Sequence, residues 1–333
     1  MITPHASGTP AIGTWPALPL APWVNTYATL HMLTQIVGKT RLALAPMENH
    51  WWQVALYVTE RGLTTSPMPY GDRTFGIDFD FIDHSVIVRT SRGETSAVPL
   101  IQRSVSEFYK EYLGVLHSLG LDVKLMGVPV EIPDVVPFAE DTQHSSYDAD
   151  AAHRWWLVMV QVDRVLKTFR GRFEGKASPV HFFWGSFDLA ATRFSGRGAP
   201  KHPGGAPNCP DYVMVEAYSR ECSSCGFWPG GGTQEAAFYS YAYPEPEGYS
   251  ERTVRPDAAY YDKNLKEFIL PYDTVRNAAS PDDTLLEFLQ STYEAAADLA
   301  AWDRAALDRQ QAGREFRTSP QTMGSPIASG VHA

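Results

Sequence analysis

The sequence predicts an α+β protein built from two halves, each with a mostly antiparallel sheet covered by helices. Residues 75–81 alternate between apolar and polar side chains, which is the period of a half-buried strand. Residues 105–116 place their apolar side chains along one stripe, which is typical of an amphipathic helix. An order of helix, strands and helix occurs in residues 23–128 and again in residues 148–309. This recurrence indicates two α+β halves.

Length and composition limit the class of protein. The chain has 333 residues, of which 44% are hydrophobic and 12% aromatic, enough for a folded core in two domains or two fused halves. Its formal net charge is -10 without a basic block, so nucleic acid and anionic membranes are poor partners. No apolar run approaches the roughly 18 residues of a membrane span, and no signal segment opens the chain. We therefore expect a soluble cytoplasmic protein.

The first half follows an arm, residues 1–22, whose prolines favour irregular extended backbone. Apolar spacing predicts a helix over 25–37, and Gly38 and Lys39 then mark a change to strands. The predicted strands cover residues 41–45, 51–59, 75–81 and 86–88. The helix that begins at Val105 closes this half.

A proline-rich connector, residues 129–147, leads into the second half. A helix is predicted over 155–169, and another begins at Ser280-Pro-Asp-Asp283 and continues to about Leu307. The predicted strands between these helices cover residues 180–187, 212–218 and 236–243. Residues 310–333 are expected to form a disordered tail.

Short matches between the halves suggest an internal duplication. Gly38-Lys39 precedes Pro46 and His50-Trp-Trp52, whereas Gly175-Lys176 precedes Pro179 and His181-Phe-Phe183. Under this hypothesis the two histidines occupy corresponding positions. Matches of this length also arise by chance, so unrelated halves are the alternative.

The strongest candidate for a site is the segment 178–197, Ser-Pro-Val-His-Phe-Phe-Trp-Gly-Ser-Phe-Asp-Leu-Ala-Ala-Thr-Arg-Phe-Ser-Gly-Arg. Charged groups among so many aromatic side chains are either paired or functional, because unpaired buried charge is costly. His181 with Asp188 or Glu216 forms the candidate acid–base set, since a histidine and a carboxylate in a desolvated site can have matched protonation. Glu216 is assigned to the predicted strand 212–218.

The candidate ligand-binding residues favour an anion. Arg193 and Arg197 carry planar donor forks that match a carboxylate or phosphate, and Lys176 adds a third cation. Alternatively, Asp188 pairs with one arginine and the other is solvated. The remaining predicted ligand-binding residues are Ser195, which shares the parity of the arginines, together with His50, Trp51 and Trp184.

No metal site or cofactor is predicted. His50 and His181 as a pair could bind a metal, but a histidine beside tryptophan is more often structural. Cys222-Ser-Ser-Cys225 has zinc-ligand spacing without a second such pair, and Cys209 is the third cysteine. Free, dispensable thiols are therefore expected.

Three segments of the chain are distinctive: Asn49-His-Trp-Trp52, the segment 178–197, and Gly226-Phe-Trp-Pro-Gly230. On these segments the chain resembles a bacterial family catalogued as domain of unknown function 5996, from about Trp15 to Arg309. The family has no established activity. The resemblance implies one family-wide unit and a bacterial soluble protein, and it assigns no reaction, cofactor or catalytic residue.

Two functional hypotheses follow. In the first, a pocket between the halves binds a small, partly apolar anionic molecule, and a hydrolase or other acid–base enzyme is its catalytic form. In the second, the protein is a non-catalytic binding or interaction protein whose charged and aromatic residues are structural. The sequence determines neither the substrate nor the oligomeric state.

Overall fold

The computed structural model describes residues 14–232 and 234–309. The α-helices are α1 (Val24–Leu44), α2 (Val105–Ser118), α3 (Ala149–Gly171), α4 (Asp211–Ala217), α5 (Tyr272–Arg276), α6 (Pro281–Leu299) and α7 (Arg304–Leu307). Short 3₁₀ turns lie at Asn49–Val54 and Tyr249–Glu251. The tail 310–333 and most of the arm predicted over 1–22 lie outside the described residues.

The strands form two antiparallel sheets. The first-sheet strands are β1 (Tyr57–Val58), β2 (Gly62–Thr64), β3 (Met68–Tyr70), β4 (Arg73–Asp80), β5 (Ser85–Thr90) and β6 (Thr95–Pro99). The second-sheet strands are β7 (His181–Phe183), β8 (Asp188–Gly198), β9 (Arg220–Trp228), β10 (Ala237–Tyr243), β11 (Tyr260–Asp262) and β12 (Glu267–Pro271). The predicted α+β class with antiparallel sheets is therefore confirmed.

The first sheet has the strand order β1-β2-β4-β5-β6, and β3 pairs with β4. Phe75, Ile77 and Phe79 of β4 are buried, which confirms the predicted alternation. Helix α2 begins with a capping box, in which Ser104 and Glu107 satisfy each other's backbone donors.

The second sheet has the order β11-β12-β10-β9-β8-β7. One face packs into the core through a row of paired, buried side chains: Leu189, Phe227, Phe238 and Leu270. Helices α3 and α6 cover this face. The opposite face carries Ala190, Gly226, Tyr239, Ile269 and Tyr260 in the neighbouring row. It is less covered, and it positions the site described below.

The halves share one continuous core. Trp155 of α3 is completely buried and stacks on Phe187 with ring centroids 4.8 Å apart. The same indole contacts Trp23 and Phe81 from the first half. A backbone bridge between Leu56 and Phe182 also connects the two sheets. The division at residues 129–147 stays a prediction.

Four predicted elements differ from the structure. Residues 41–45 belong mostly to α1, whose nearly all-round burial hides the helical period. Residues 51–54 form a 3₁₀ turn before β1, and residues 212–218 belong mainly to α4, which starts after Pro210. The last long helix ends at Leu299, before Ala301 adopts a positive φ of 49°. The other predicted helices and strands are present, with shifted boundaries.

The proposed correspondence between His50 and His181 is wrong. His50 lies in a 3₁₀ turn with a φ of 61°, whereas His181 opens β7 in extended backbone. Because the two histidines lie on unrelated elements, the match on which the duplication hypothesis relied is lost, and the alternative of unrelated halves is favoured. In the described ranges, no helix combines the length and the apolar character that crossing a membrane requires.

Candidate functional site

The predicted catalytic histidine, His181, lies in an aromatic box. The rings of Trp52, Tyr57 and Phe183 surround it at centroid distances of 5.3–5.6 Å. It is 1% exposed, and neither ring nitrogen has a hydrogen-bond partner among the described residues. Burial, with a smaller effect of nearby Arg41, lowers the pKa of His181 to about 3. The ring is therefore neutral at physiological pH.

Replacing His181 with Phe is expected to stabilise the protein, because buried polar atoms without partners cost about 1–3 kcal/mol. The lowered pKa means that His181 disfavours the folded state as pH falls from 6.5, its ordinary value, towards 3. Phenylalanine does not titrate, so the advantage of the variant grows as pH falls through this window. Urea denaturation at pH 7 and pH 5 measures the difference.

The surface residue His117, whose side chain is 79% exposed, provides the control. His117→Gln is expected to leave stability nearly unchanged at both pH values. A loss of stability in His181→Phe at both pH values would show that the imidazole makes an essential interaction.

Arg193 does not reach an anion pocket. It is 2% exposed, its guanidinium carbon lies 3.5 Å from the ring centroid of Phe169 and 4.3 Å from that of Tyr293, and it donates to the carbonyl oxygen of Phe169. Burial lowers its pKa to about 10. No carboxylate in the described chain forms a salt bridge with it. The alternative pairing with Asp188 is therefore wrong, and cation–π contacts compensate this charge instead.

Arg197 and Ser195 act at the edge of the second sheet. Arg197 forms a salt bridge of 2.7 Å with Glu221 and donates to the carbonyl oxygens of Ala300 and Ala301. The hydroxyl of Ser195 donates to the same glutamate at 2.9 Å. These contacts connect β8 and β9 to the end of α6, which is a structural role.

His50 and Lys176 do come together, at a separate position. His50 Nδ1 donates to the carbonyl oxygen of Ala217 at 2.9 Å, so its Nε2 accepts from Lys176 Nζ at 2.8 Å. Lys176 also lies over the rings of Trp52 and Phe194. Glu216 lies close enough to oppose the burial that lowers the pKa of His50. The predicted pairing of His181 with Asp188 or Glu216 forms no hydrogen bond, because both ring nitrogens of His181 lack a partner in the described chain.

Trp51 and Trp184, which were both predicted to bind the ligand, contact different parts of the protein. Trp51 packs against Tyr212 of α4, with ring centroids 5.8 Å apart. Trp184 Nε1 donates to the carbonyl oxygen of Val54 at 2.7 Å, and Lys39 Nζ lies 5.4 Å from its ring. A side chain at Gly38 would overlap with the Trp184 ring. Neither of these two predicted ligand-binding residues lines the cavity that is described next.

Among the predicted site residues, Arg197 lines a cavity of about 360 Å³ beside Glu221. Asp188 lines a different cavity. The cavity has a volume of about 550 Å³ and lies on the less covered face of the second sheet. Five acidic residues line it: Glu131, Asp188, Glu235, Asp262 and Glu267. None of its described lining residues is a lysine, arginine or histidine. The cavity is therefore strongly acidic, and sequence analysis recognised only one of its acids.

Glycine positions shape the cavity floor. Asp188 is 7% exposed and accepts hydrogen bonds from the hydroxyls of Ser186 and Tyr239. A side chain at Gly226 would overlap with the phenol oxygen of Tyr239 and with the backbone of Leu189. The absence of a Cβ therefore allows Tyr239 to reach from β10 across β9 to Asp188 on β8.

The wall near Glu131 is held by a polar stripe of α1. Gln35 exchanges two hydrogen bonds of 2.8 Å with the backbone of Val130. His31 Nε2 donates to the carbonyl oxygen of Gly185 at 2.8 Å, and burial lowers the pKa of His31 to about 4. The carboxylate of Glu131 lies directly against Gly185, where a Cβ would overlap with it. Glu131 is thus fixed beside the turn that precedes Asp188.

Glu131 and Glu267 have no ion pair or side-chain hydrogen bond in the described part of the chain. Burial, followed by repulsion from Asp188, raises the pKa of each to about 7. Burial also raises the pKa of Asp188 itself. Both glutamates remain accessible through the cavity, so they can bind a ligand or exchange a proton near neutral pH.

The other two acids already have structural roles. Glu235 accepts from the backbone N–H of Leu20 at 2.8 Å. Asp262 accepts from the N–H groups of Asn264 and Leu265 in the β11–β12 turn. A ligand therefore meets three principal carboxyl groups, those of Glu131, Asp188 and Glu267.

Tyrosines give the cavity aromatic surface. The rings of Tyr239 and Tyr241 are nearly parallel, with centroids 6.1 Å apart, and the hydroxyls of Tyr241 and Tyr218 are 2.7 Å apart. Tyr260 stands at the rim with 51% of its surface exposed. Burial raises the pKa of Tyr239 and Tyr241 well above 10, so both are neutral donors.

The described residues include no group of three or more histidine, cysteine, aspartate or glutamate side chains arranged to hold a metal ion. Cys222 and Cys225 are buried in β9, and their thiols are free. Burial raises the pKa of both thiols to about 12, so they are protonated.

Comparison with known proteins gives one match. No curated protein and no solved structure matches this chain. A model of a protein family without an assigned function matches residues 15–309, which include both sheets and every residue of the cavity described above. Because this match covers most of the sequence, the chain belongs to the family of unknown function DUF5996.

Proposed function

We propose that this protein binds a small, partly apolar molecule that carries an amine, in the cavity above the second sheet. The observation that carries the proposal is the lining: five acidic residues and four tyrosines surround about 550 Å³, without a basic side chain among the described lining residues. This volume is in the range of small-molecule sites. The proposal replaces the anion expected from the sequence, because Arg193, Arg197 and Lys176 lie at three separate places.

A cation improves the electrostatics of this cavity. Asp188 repels both Glu131 and Glu267, as their raised pKa values show. A protonated amine offsets this repulsion and donates to carboxylate oxygens that lack protein partners. Aromatic faces of Tyr239 and Tyr241 add a second favourable contact for a cation and its alkyl chain.

Acid–base catalysis in the same cavity is a second candidate function. It is favoured by two carboxyl groups, Glu131 and Glu267, with pKa values of about 7, since such groups can donate or accept protons at neutral pH. A hydrolase remains its simplest form. Mass spectrometry that detects the carboxylic acid and the alcohol formed when water cleaves an added amino ester would distinguish catalysis from binding.

Hexylamine, titrated by calorimetry, tests the binding proposal. We expect hexylamine to bind, and hexanoate and hexanol to bind at least about ten-fold more weakly. Its affinity should increase from pH 6 to pH 8, because Glu131 and Glu267 ionise across this range. Asp188→Asn should weaken hexylamine binding at least about ten-fold, since the amide removes the buried charge and keeps the size.

Glu60→Gln is the matched control. Glu60 is exposed in the β1–β2 turn and does not line the cavity, so this variant should bind hexylamine like the wild type. Tighter binding of hexanoate than of hexylamine would overturn the proposal in favour of the anion.

A further inference from the structure

The acidic groups of the cavity lie at two ends. Asp188, on β8, and Glu131, beside Gly185, form the first end. Glu267 and Asp262, which are directly paired between β12 and β11, form the second end. Strands β9 and β10 lie between β8 and β12. Three interstrand steps of about 4.8 Å separate the backbones of the two ends by about 14 Å across the sheet. The register also offsets the ends along the strands, because Asp188 lies in the row of Ala237 and Pro271 and not in that of Glu267.

An apolar row separates these ends. Tyr239, Ile269 and Tyr260 are paired side by side on neighbouring strands and line the cavity. Leu265, which is 47% exposed, extends this surface at the rim. A ligand that contacts both acidic ends therefore crosses a surface that suits an alkyl chain.

Each end has an acid without a protein partner. The side chain of Glu131 is exposed at the cavity, with Lys39 near enough to oppose the rise of its pKa, and it has no hydrogen bond or ion pair among the described residues. Glu267, which is half-buried at the other end, also has no such partner in the described chain. A single amine at Asp188 offsets its repulsion of Glu131 and Glu267, but it leaves the carboxylate of Glu267 without a counter-ion of its own.

We infer that the ligand is a dication with an apolar spacer, that is, a diamine or polyamine. This inference rests on the proposed function and specifies its substrate class. One ammonium group binds Asp188 and Glu131, the alkyl chain lies along Tyr239 and Ile269, and the second ammonium binds Glu267. Linking the two groups makes the second contact intramolecular, which raises affinity beyond that of either contact alone.

The experiment compares 1,6-diaminohexane with hexylamine, which has the same chain and one amine fewer. In calorimetry at pH 8, we expect the diamine to bind at least about ten-fold more tightly than hexylamine. Glu267→Gln should remove most of the advantage of the diamine over hexylamine, whereas hexylamine should lose much less affinity, because its single amine also binds at Asp188 and Glu131. Retained hexylamine binding also shows that the variant is folded.

The outcomes separate the inference from the proposed function. If hexylamine binds and the diamine binds no more tightly, the inference fails and the proposed function stands. If neither amine binds, both fail. If Glu267→Gln prefers the diamine over hexylamine by the same factor as the wild type, the second acidic end plays no part and the inference fails.

Discussion

Trp155→Ala is expected to destabilise the whole protein by about 3–5 kcal/mol, the range for removing a large aromatic side chain from a core. Trp155 is completely buried, and it contacts Phe182 and Phe187 from the second half and Trp23 and Phe81 from the first. Its loss leaves a cavity where the halves meet. Urea denaturation, monitored by far-ultraviolet circular dichroism, should show a single unfolding transition whose midpoint lies at a lower urea concentration than that of the wild type.

Trp155→Phe is the control for this substitution. It retains an aromatic ring and removes an indole N–H that has no partner in the described chain, so it should cost much less than alanine. Two separate transitions, of which only one shifts in Trp155→Ala, would contradict the shared core and favour independent domains.

Gly226→Ala is expected to have the largest effect on the cavity. The new methyl group would overlap with the phenol oxygen of Tyr239 and with the carbonyl oxygen of Leu189. Relieving both overlaps displaces Tyr239 from Asp188 and shifts β9 against β8. We expect a stability loss of about 1–3 kcal/mol, as for other overpacked sites, and a loss of hexylamine binding of at least about ten-fold.

Gly198→Ala provides a matched control on the same strand pair. A Cβ at Gly198 would lie 3.5 Å from Arg220 Nη1, which is an ordinary contact. This variant should retain both stability and hexylamine binding. A Gly226→Ala protein that behaves like Gly198→Ala would show that the floor tolerates a methyl group and that Tyr239 does not depend on this glycine.

Two of the three distinctive segments, 178–197 and the one that begins at Gly226, contribute to the floor of the cavity. The segment 178–197 supplies Gly185, Ser186 and Asp188, and the segment that begins at Gly226 supplies the space for Tyr239. The distinctive sequence therefore reaches accessible surface at this cavity, as it also does at Arg197.

Local patterns in the sequence determined much of the fold. The alternation in β4, the apolar stripe of α2 and the proline-led start of α6 each depend on residues within one element, so each was predictable. The prediction failed where burial is nearly complete, as in α1, because a helix without a polar face lacks the helical period.

The candidate site was only partly predictable. Asp188 was recognised because a carboxylate among aromatic residues is unusual. Glu131 and Glu267 were not, since one lies in the proline-rich connector and the other on a short strand, and neither forms a motif by itself. The available signals were Gly185 and Gly226, whose missing side chains leave room for Glu131 and Tyr239.

The sequence by itself determined the α+β class, the antiparallel strands and the family resemblance, and it singled out Asp188 as a candidate site residue. The tertiary structure alone decided which charges meet. Arg193 and Arg197 share a parity in the sequence, but a register shift between Phe194 and Gly198 separates their environments, and burial places Arg193 among aromatic rings. Strand order brings Asp188 and Glu267 to one cavity, because pairing between distant strands depends on the packing of the whole sheet.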